Sequence, residues 1–294
     1  MMKKSIYKSP EGEAEIHAIY DQQLDRINLP FESCYVDTQF GLTHVLVLGP
    51  KSGEPILVLQ GGNTTSPLTL NWIRPIMEKY RVYAPDTIGH PGKSSPNRLS
   101  PRNHSYGIWL EEVMDALKLK QPILMGGSFG AGILLRTAIY IPERIKKAIL
   151  FIPSGLVSMP TGTMMYWIFW LMIHKLTENQ SSLKRILQPM FLDEPIDQDT
   201  LEITEAVFRL TRIEKEMPRN VTPQELKNFN APTLVIAAER DALFSANKVI
   251  QRAQKVFPNL VATDIIAGAT HYLSPRFHPQ LNAQCIQFLE ASVT

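Results

Sequence analysis

The segment that most limits how this chain can fold is Pro122-Ile-Leu-Met-Gly-Gly-Ser-Phe-Gly-Ala-Gly132. The apolar run Pro122–Met125 reads as a buried strand, and Phe129–Tyr140 reads as a helix. Between them Gly126, Ser128 and Gly130 give the pattern G-x-S-x-G. Where a strand turns directly into a helix the two backbones nearly touch, so the positions two before and two after the turn leave no room for side chains. The serine takes a strained backbone conformation, and its hydroxyl is pushed out at the carboxyl end of the strand, near the positive end of the helix. A dinucleotide fingerprint would need G-x-G-x-x-G, and glycines at 126, 127, 130 and 132 do not supply that spacing.

Strands and helices alternate around this turn. A leading helix is expected up to about Leu29, from the spacing of Ile16, Ile19, Tyr20 and Leu24. Strands are expected at Cys34–Phe40, Thr43–Leu48, Pro55–Leu59, Arg81–Pro85 and Ile145–Ile152, with a helix over His104–Leu119. Farther on come strand Thr233–Ala237, helix Ser245–Val256, strand Leu260–Ile266 and helix Pro279–Glu290. The continuous apolar strands ILVL, PILM, AILFI and TLVIAA imply burial on both faces, as in a parallel sheet between helices. The expected class is therefore three-layer α/β, with an antiparallel pair at the start of a mostly parallel sheet.

The alternation breaks between Ser154 and about Asn230, where helical patterns dominate (Leu183–Met190, Leu201–Met217). Core boundaries of 1–153 and 231–294 follow, with 154–230 as a helical lid over the ligand-facing edge of the sheet, or else a side domain. The aromatic and methionine run in this stretch (Met159, Met164, Met165, Trp167, Trp170) is either the wall of an apolar pocket or the insertion's own core. Arg209, Arg212 and Lys215, placed on a helix by this reading, would suit a carboxylate or a solvated face.

Composition excludes several classes. Apolar residues make up 44% of 294 and charged residues 20%, so the chain is neither disordered nor fibrous. A net charge of +2 without a dense basic stripe gives no case for nucleic acid. The run Met164–Ile173 is about half the roughly 20 residues a membrane span needs, so no stable membrane insertion is expected. The N-terminus has basic residues but no apolar segment behind them, so no secretory signal is read there and a cytoplasmic location is the expectation. Cys34 and Cys285 form no CxxC pair and read as ordinary thiols, and no cluster has metal-ligand spacing, so neither metal nor cofactor is implied.

A serine hydroxyl is a weak nucleophile near neutrality and needs a base, itself oriented by a third group. Only His271 and His278 follow the last strand, and His271 leaves it through the small-residue turn Ala-Gly-Ala-Thr. His278 stands before Pro279 at a helix start. For the acid, Asp241 lies on the loop leaving Thr233–Ala237, whereas Glu239 sits too close to the strand end and reads as a solvated carboxylate. Donors for a developing oxyanion are expected from the N–H of Phe129 and from the loop Gln60-Gly-Gly-Asn-Thr-Thr65, with Gly62 first and Asn63 second, Asn63 being also a candidate substrate contact.

With these parts in place, the chain resembles the α/β-hydrolase superfamily over nearly its whole length. Tyr83-Ala-Pro-Asp-Thr-Ile-Gly-His-Pro-Gly-Lys-Ser94 looks like that family's Asp-x-x-Gly-x-Gly-x-Ser loop with one extra residue, which makes Asp86 and His90 structural. Asp37-Thr-Gln-Phe-Gly-Leu-Thr-His44, with the elbow and the lid placement, is similar to bacterial carboxylesterases of the naproxen-ester type. The family usually carries His-Gly before the oxyanion residue, where this chain has Gln60-Gly61. The resemblance implies a small-molecule ester substrate and a Ser128, Asp241, His271 triad. The triad itself does not separate ester cleavage from amide or carbon–carbon cleavage or acyl transfer, and a non-catalytic receptor on this fold is the remaining alternative.

Overall fold

In the computed structural model, which describes residues 5–291, Ser9 opens the first helix by accepting the Gly12 N–H, and Pro10 occupies the first turn, where no amide is needed. This helix is α1 (Pro10–Ile27). It is followed by β1 (Phe31–Thr38), β2 (Gly41–Leu48), β3 (Pro55–Leu59), α2 (Ser66–Trp72), α3 (Arg74–Lys79) and β4 (Arg81–Pro85). Then come α4 (Ser105–Ala116), β5 (Ile123–Gly127), α5 (Phe129–Tyr140) and β6 (Ala148–Phe151). Helices α6 (Thr161–Thr177), α7 (Gln180–Phe191) and α8 (Gln198–Leu210) interrupt the alternation, which resumes with β7 (Thr233–Ala238), α9 (Ala246–Val256), β8 (Leu260–Ile266) and α10 (His278–Glu290). Residues 1–4 of the expected leading segment and 292–294 lie outside the described residues.

The strands form one sheet in the order β1-β2-β4-β3-β5-β6-β7-β8. β1 pairs antiparallel with β2 and β2 antiparallel with β4, and every later pairing is parallel. Because side chains alternate along a strand, the apolar runs feed two cores at once. Leu57, Leu59, Leu124, Leu150 and Val235 face α4, α5 and α9, joining Trp109, Val113, Leu134 and Val249. Ile56, Val58, Met125, Ile149 and Ile236 face α1, α2, α3 and α10, joining Tyr20, Leu70, Ile76 and Leu281. Each such side chain contributes about 1.5–3 kcal/mol relative to exposure. The fold is the three-layer α/β arrangement that the sequence implied.

Two local expectations change. Helices α2 and α3 appear where no element was expected. The helix expected over Leu201–Met217 stops at Leu210, because Thr211 pairs with Tyr7 in an antiparallel bridge and the Arg212 N–H donates to the Ile6 carbonyl at 2.7 Å. Arg212 and Lys215 therefore lie on an irregular segment. Cys285 is a free thiol, as expected, and sits fully buried in the second core, with burial alone pushing its thiol above the ordinary range.

The insertion is fastened unevenly. Asn179 and Asp197 cap α7 and α8 through side-chain oxygens that accept the Ser182 and Thr200 N–H groups. Leu183, Leu187 and Phe191 of α7 pack with Tyr272, and Ile203 and Val207 of α8 pack on Ile16 and Ile19 of α1. Helix α6 buries no residue.

Candidate active site

Ser128 has φ 48° and ψ −115°, a left-handed conformation costly for a residue with a Cβ. The turn is pinned by its surroundings. The Ser128 N–H donates to Phe151 O at 3.2 Å, and its carbonyl accepts from Ser154 N (3.2 Å), Ser154 Oγ (2.9 Å) and Gly132 N (3.3 Å). Helix α5 crosses so near β3 that a Cβ on Gly130 would stand 2.3 Å from Leu59 O and 2.6 Å from Gln60 O. Only glycine fits there, and that closeness projects the serine hydroxyl from the strand end.

Ser128 Oγ lies 3.0 Å from His271 Nε2. His271 Nδ1 lies 2.9 Å from Asp241 Oδ2. An ionised carboxylate only accepts, so Nδ1 carries the proton and Nε2 is left to accept from Ser128 Oγ–H. The second oxygen, Asp241 Oδ1, accepts from Leu243 N at 2.7 Å and Phe244 N at 3.0 Å, and the Phe244 ring packs against His271 with centroids 5.5 Å apart. Asp241 and His271 are both buried. The loops carrying them are tied together: Arg240 N donates to Ala269 O at 2.8 Å, and Gly268 N to Glu239 Oε2 at 2.7 Å. Glu239 is exposed, in keeping with its reading as a solvated carboxylate, and in addition caps the turn before His271. His278 is spent elsewhere, with Nε2 2.9 Å from Leu273 O.

The loop after β3 runs in front of α5. A Cβ on Gly62 would meet Phe129 Cβ at 3.1 Å. Among the described residues, neither the Gly62 nor the Phe129 N–H donates to a protein acceptor. Gln60, 1% exposed, anchors this loop with all four of its hydrogen bonds. Its Nε2 donates to Thr64 O (2.5 Å) and Pro91 O (3.2 Å), and its Oε1 accepts from Ser66 Oγ (2.7 Å) and Thr87 N (3.1 Å). Asn63 is placed differently from its sequence reading as a second donor or a substrate contact. Its N–H points to His90 Nδ1 at 3.3 Å, and its carboxamide bonds the backbone of Glu214. His90 lies tilted against Phe129 with centroids 4.6 Å apart, and burial, then the nearby Arg98 charge, pushes its pKa down to about 3. Asp86 accepts from Tyr20 Oη (3.0 Å) and Lys93 N (2.8 Å) and lies 3.0 Å from His44 Nδ1, all away from Ser128.

A sequence model described as the alpha/beta hydrolase fold matches residues 54–180. The chain has the α/β-hydrolase fold. Carboxylesterase YbfK of Bacillus subtilis is 26% identical over 96% of each chain. The crystal structure of naproxen esterase (carboxylesterase NP), also from Bacillus subtilis, superposes with a TM-score of 0.85 at 23% identity, covering 96% of this chain and 100% of the other. A 2-hydroxymuconate semialdehyde hydrolase from a Pseudomonas strain is 33% identical, but over only 37% of this chain.

On this fold the expected pocket residues are split. Trp167 donates Nε1–H to Ile186 O at 2.8 Å and packs, with Met159, on the core that holds Phe129, Leu243 and Phe244. Met165 is 65% exposed, and Met164 is exposed as well. Trp170 packs with Tyr166, Phe169 and the Arg185 guanidinium, all contacts within the insertion. Arg209 and Arg212 are engaged by Glu15 and by the carbonyls of Ser5 and Tyr7. With Lys215 they line a groove of 810 Å³ between α1, α6 and α8 that Ser128, Asp241 and His271 do not line. Tyr272, next to His271, went unremarked in the sequence. Its N–H donates to Met190 O (2.9 Å), its hydroxyl to Asp197 (2.9 Å), and its ring stacks on Phe191 at 4.4 Å, joining the insertion to the His271 loop. An aromatic directly after the candidate base was the only hint. Among the described residues, no group of three or more His, Cys, Asp or Glu side chains is arranged to hold a metal ion, and no helix is long and apolar enough to cross a membrane.

Proposed function

We propose that this chain is a serine hydrolase of small carboxylic esters working through an acyl-enzyme. The observation that carries the reading is the unbroken line from Ser128 Oγ through the His271 ring to Asp241 Oδ2, at 3.0 Å and 2.9 Å, beginning at a serine held at φ 48°. Ser128 Oγ attacks the ester carbonyl while His271 Nε2 takes its proton, and Asp241 holds the imidazole tautomer and stabilises the imidazolium. The Gly62 and Phe129 N–H groups receive the oxyanion. His271 then protonates the leaving alcohol and activates water, which releases the acid and restores Ser128. The insertion over 154–230 acts as the lid, with Trp167 and Met159 on its inner side.

The similarity to YbfK and naproxen esterase supports esters over other acyl substrates. A dienone-acid substrate would call on a free basic cluster, and the engagement of Arg209 and Arg212 speaks against one. The test is turnover of short p-nitrophenyl esters by the wild type and Ser128→Ala. The variant should lose about 10⁴-fold or more in kcat while folding normally. Retention of more than a few per cent of the rate would overturn the assignment.

A further inference from the structure

Asn63 stands at φ 54°, the left-handed region that few residues other than glycine and asparagine tolerate. Its carboxamide reaches 151 residues along the chain. Nδ2 donates to Glu214 O at 3.0 Å, and Oδ1 accepts from Glu214 N at 2.6 Å, a two-point pairing of the kind one strand makes with another. Glu214 belongs to the leg by which the insertion returns from α8 to the core. That leg is gripped a second time by Arg98, whose Nη1 donates to Ile213 O (3.2 Å) and Nη2 to Arg212 O (2.6 Å), with Nε 2.9 Å from Glu214 Oε2. On the other side, the Asn63 N–H is held by His90 Nδ1, and Gln60 is fixed by its four bonds. Between these two anchors stand only Gly61, whose N–H donates to Thr69 Oγ1 at 3.4 Å, and Gly62, whose N–H no described protein acceptor holds.

We propose that Asn63 is a positioning residue: through its paired bonds to Glu214 it fixes the orientation of the Gly62 N–H and ties the oxyanion donor to the insertion's return leg. The role rests on the ester-hydrolase reading, in which Gly62 is that donor. Its chemistry is specific. An oxyanion donor is effective only when held in advance where charge develops, so loosening it lowers turnover more than ground-state binding. Substrate settling under the insertion and oxyanion stabilisation would then be joined through one asparagine.

The test compares the wild type with Asn63→Gly, which keeps the left-handed backbone and removes both side-chain bonds, and Asn63→Asp, which keeps the acceptor for Glu214 N–H and loses the donor. Asn63→Gly should lower kcat on short p-nitrophenyl esters about tenfold or more, with KM within about twofold. Asn63→Asp should fall between Asn63→Gly and the wild type. A trifluoromethyl ketone, which forms a tetrahedral oxyanion adduct, should bind more weakly in proportion to kcat, with the thermal midpoint close to wild type. Full-rate turnover by Asn63→Gly beside an inactive Ser128→Ala overturns the positioning role and leaves the ester reading standing. So does a loss in which kcat, KM and the midpoint all fall together. A wild type that turns over no ester, yet forms a ketone adduct weakened by Asn63→Gly, overturns the ester reading and keeps the positioning role.

Discussion

His90 shows how one buried side chain carries a measurable pH signature. Its ring is 1% exposed, and it accepts the Asn63 N–H at Nδ1. Burial, helped by Arg98, lowers its pKa to about 3, whereas an unfolded histidine titrates near 6.5. Below pH 6.5 the unfolded chain therefore takes up a proton here that the native chain refuses. Stability from this residue is fully present above pH 6.5 and is lost as pH falls toward 3, at about 1.4 kcal/mol per pH unit. Urea unfolding from pH 7 to pH 4 should show this slope in the wild type and less of it in His90→Gln. Equal slopes would mean that the native protein protonates His90. Burial also lowers the pKa of His278, so its contribution of the same sign appears in both proteins. The acceptor holding Asn63 therefore stays neutral well below pH 6.5, which covers the range in which the proposed mechanism uses His271 as a base. Ser128, Asp241 and His271 could be singled out from sequence because each follows a strand end with a recognisable pattern. The tasks of Gln60, Asn63 and Glu239 could not, since each depends on a partner set by folding: Pro91 and Thr87, Glu214, and Gly268 respectively.

At the scale of elements, β5, Ser128 and α5 act as one rigid corner. Gly130→Ala sets a methyl 2.3 Å from Leu59 O and 2.6 Å from Gln60 O, both backbone atoms that retreat only if β3 and α5 part. It should cost about 3 kcal/mol or more, or yield no soluble protein, through overpacking at a site that cannot relax. Gly162→Ala, in the first turn of α6 with nothing within 4 Å of the added carbon, should be stabilising by up to about 1 kcal/mol. Thermal or urea unfolding of the two variants checks the contrast, and similar effects at both sites would contradict it. The buried strands were legible because period-two alternation is replaced by continuous apolar runs when both faces are covered. Helices α2 and α3 were not. They are only 7 and 6 residues long, and Pro67 and Pro75 look like breakers in sequence although each occupies a first helical turn. The end of α8 was illegible for a different reason. The bridge from Thr211 to Tyr7 joins segments some two hundred positions apart, and no local propensity encodes it.

For the molecule as a whole, the attachment of the insertion decides what moves with what. Helix α7 is fixed through Leu183, Leu187 and Phe191 to Tyr272, α8 through Ile203 and Val207 to α1, and the return leg through Asn63 and Arg98. Helix α6 instead turns Met165, Ile168, Phe169, Met172 and Leu176 outward at three- and four-residue spacing, with Leu176 82% exposed. The sequence marked this helix as apolar but could not say which side faced the core, because hydrophobic residues surround it on nearly every side. The structure assigns the inner side to Trp167, whose indole N–H reaches Ile186 O. Stability should follow the attachment rather than the hydrophobicity. Leu183→Ala, at a site with no exposure, should cost about 2–5 kcal/mol, because a cavity opens where α7 meets the Tyr272 loop. Phe169→Gln, half exposed, should change stability by no more than about 0.5 kcal/mol. Unfolding free energies of the two variants, read beside sedimentation of the wild type, check this. A large loss from Phe169→Gln that grows with protein concentration would instead mean that the outer face of α6 is covered in solution by a second copy of the chain.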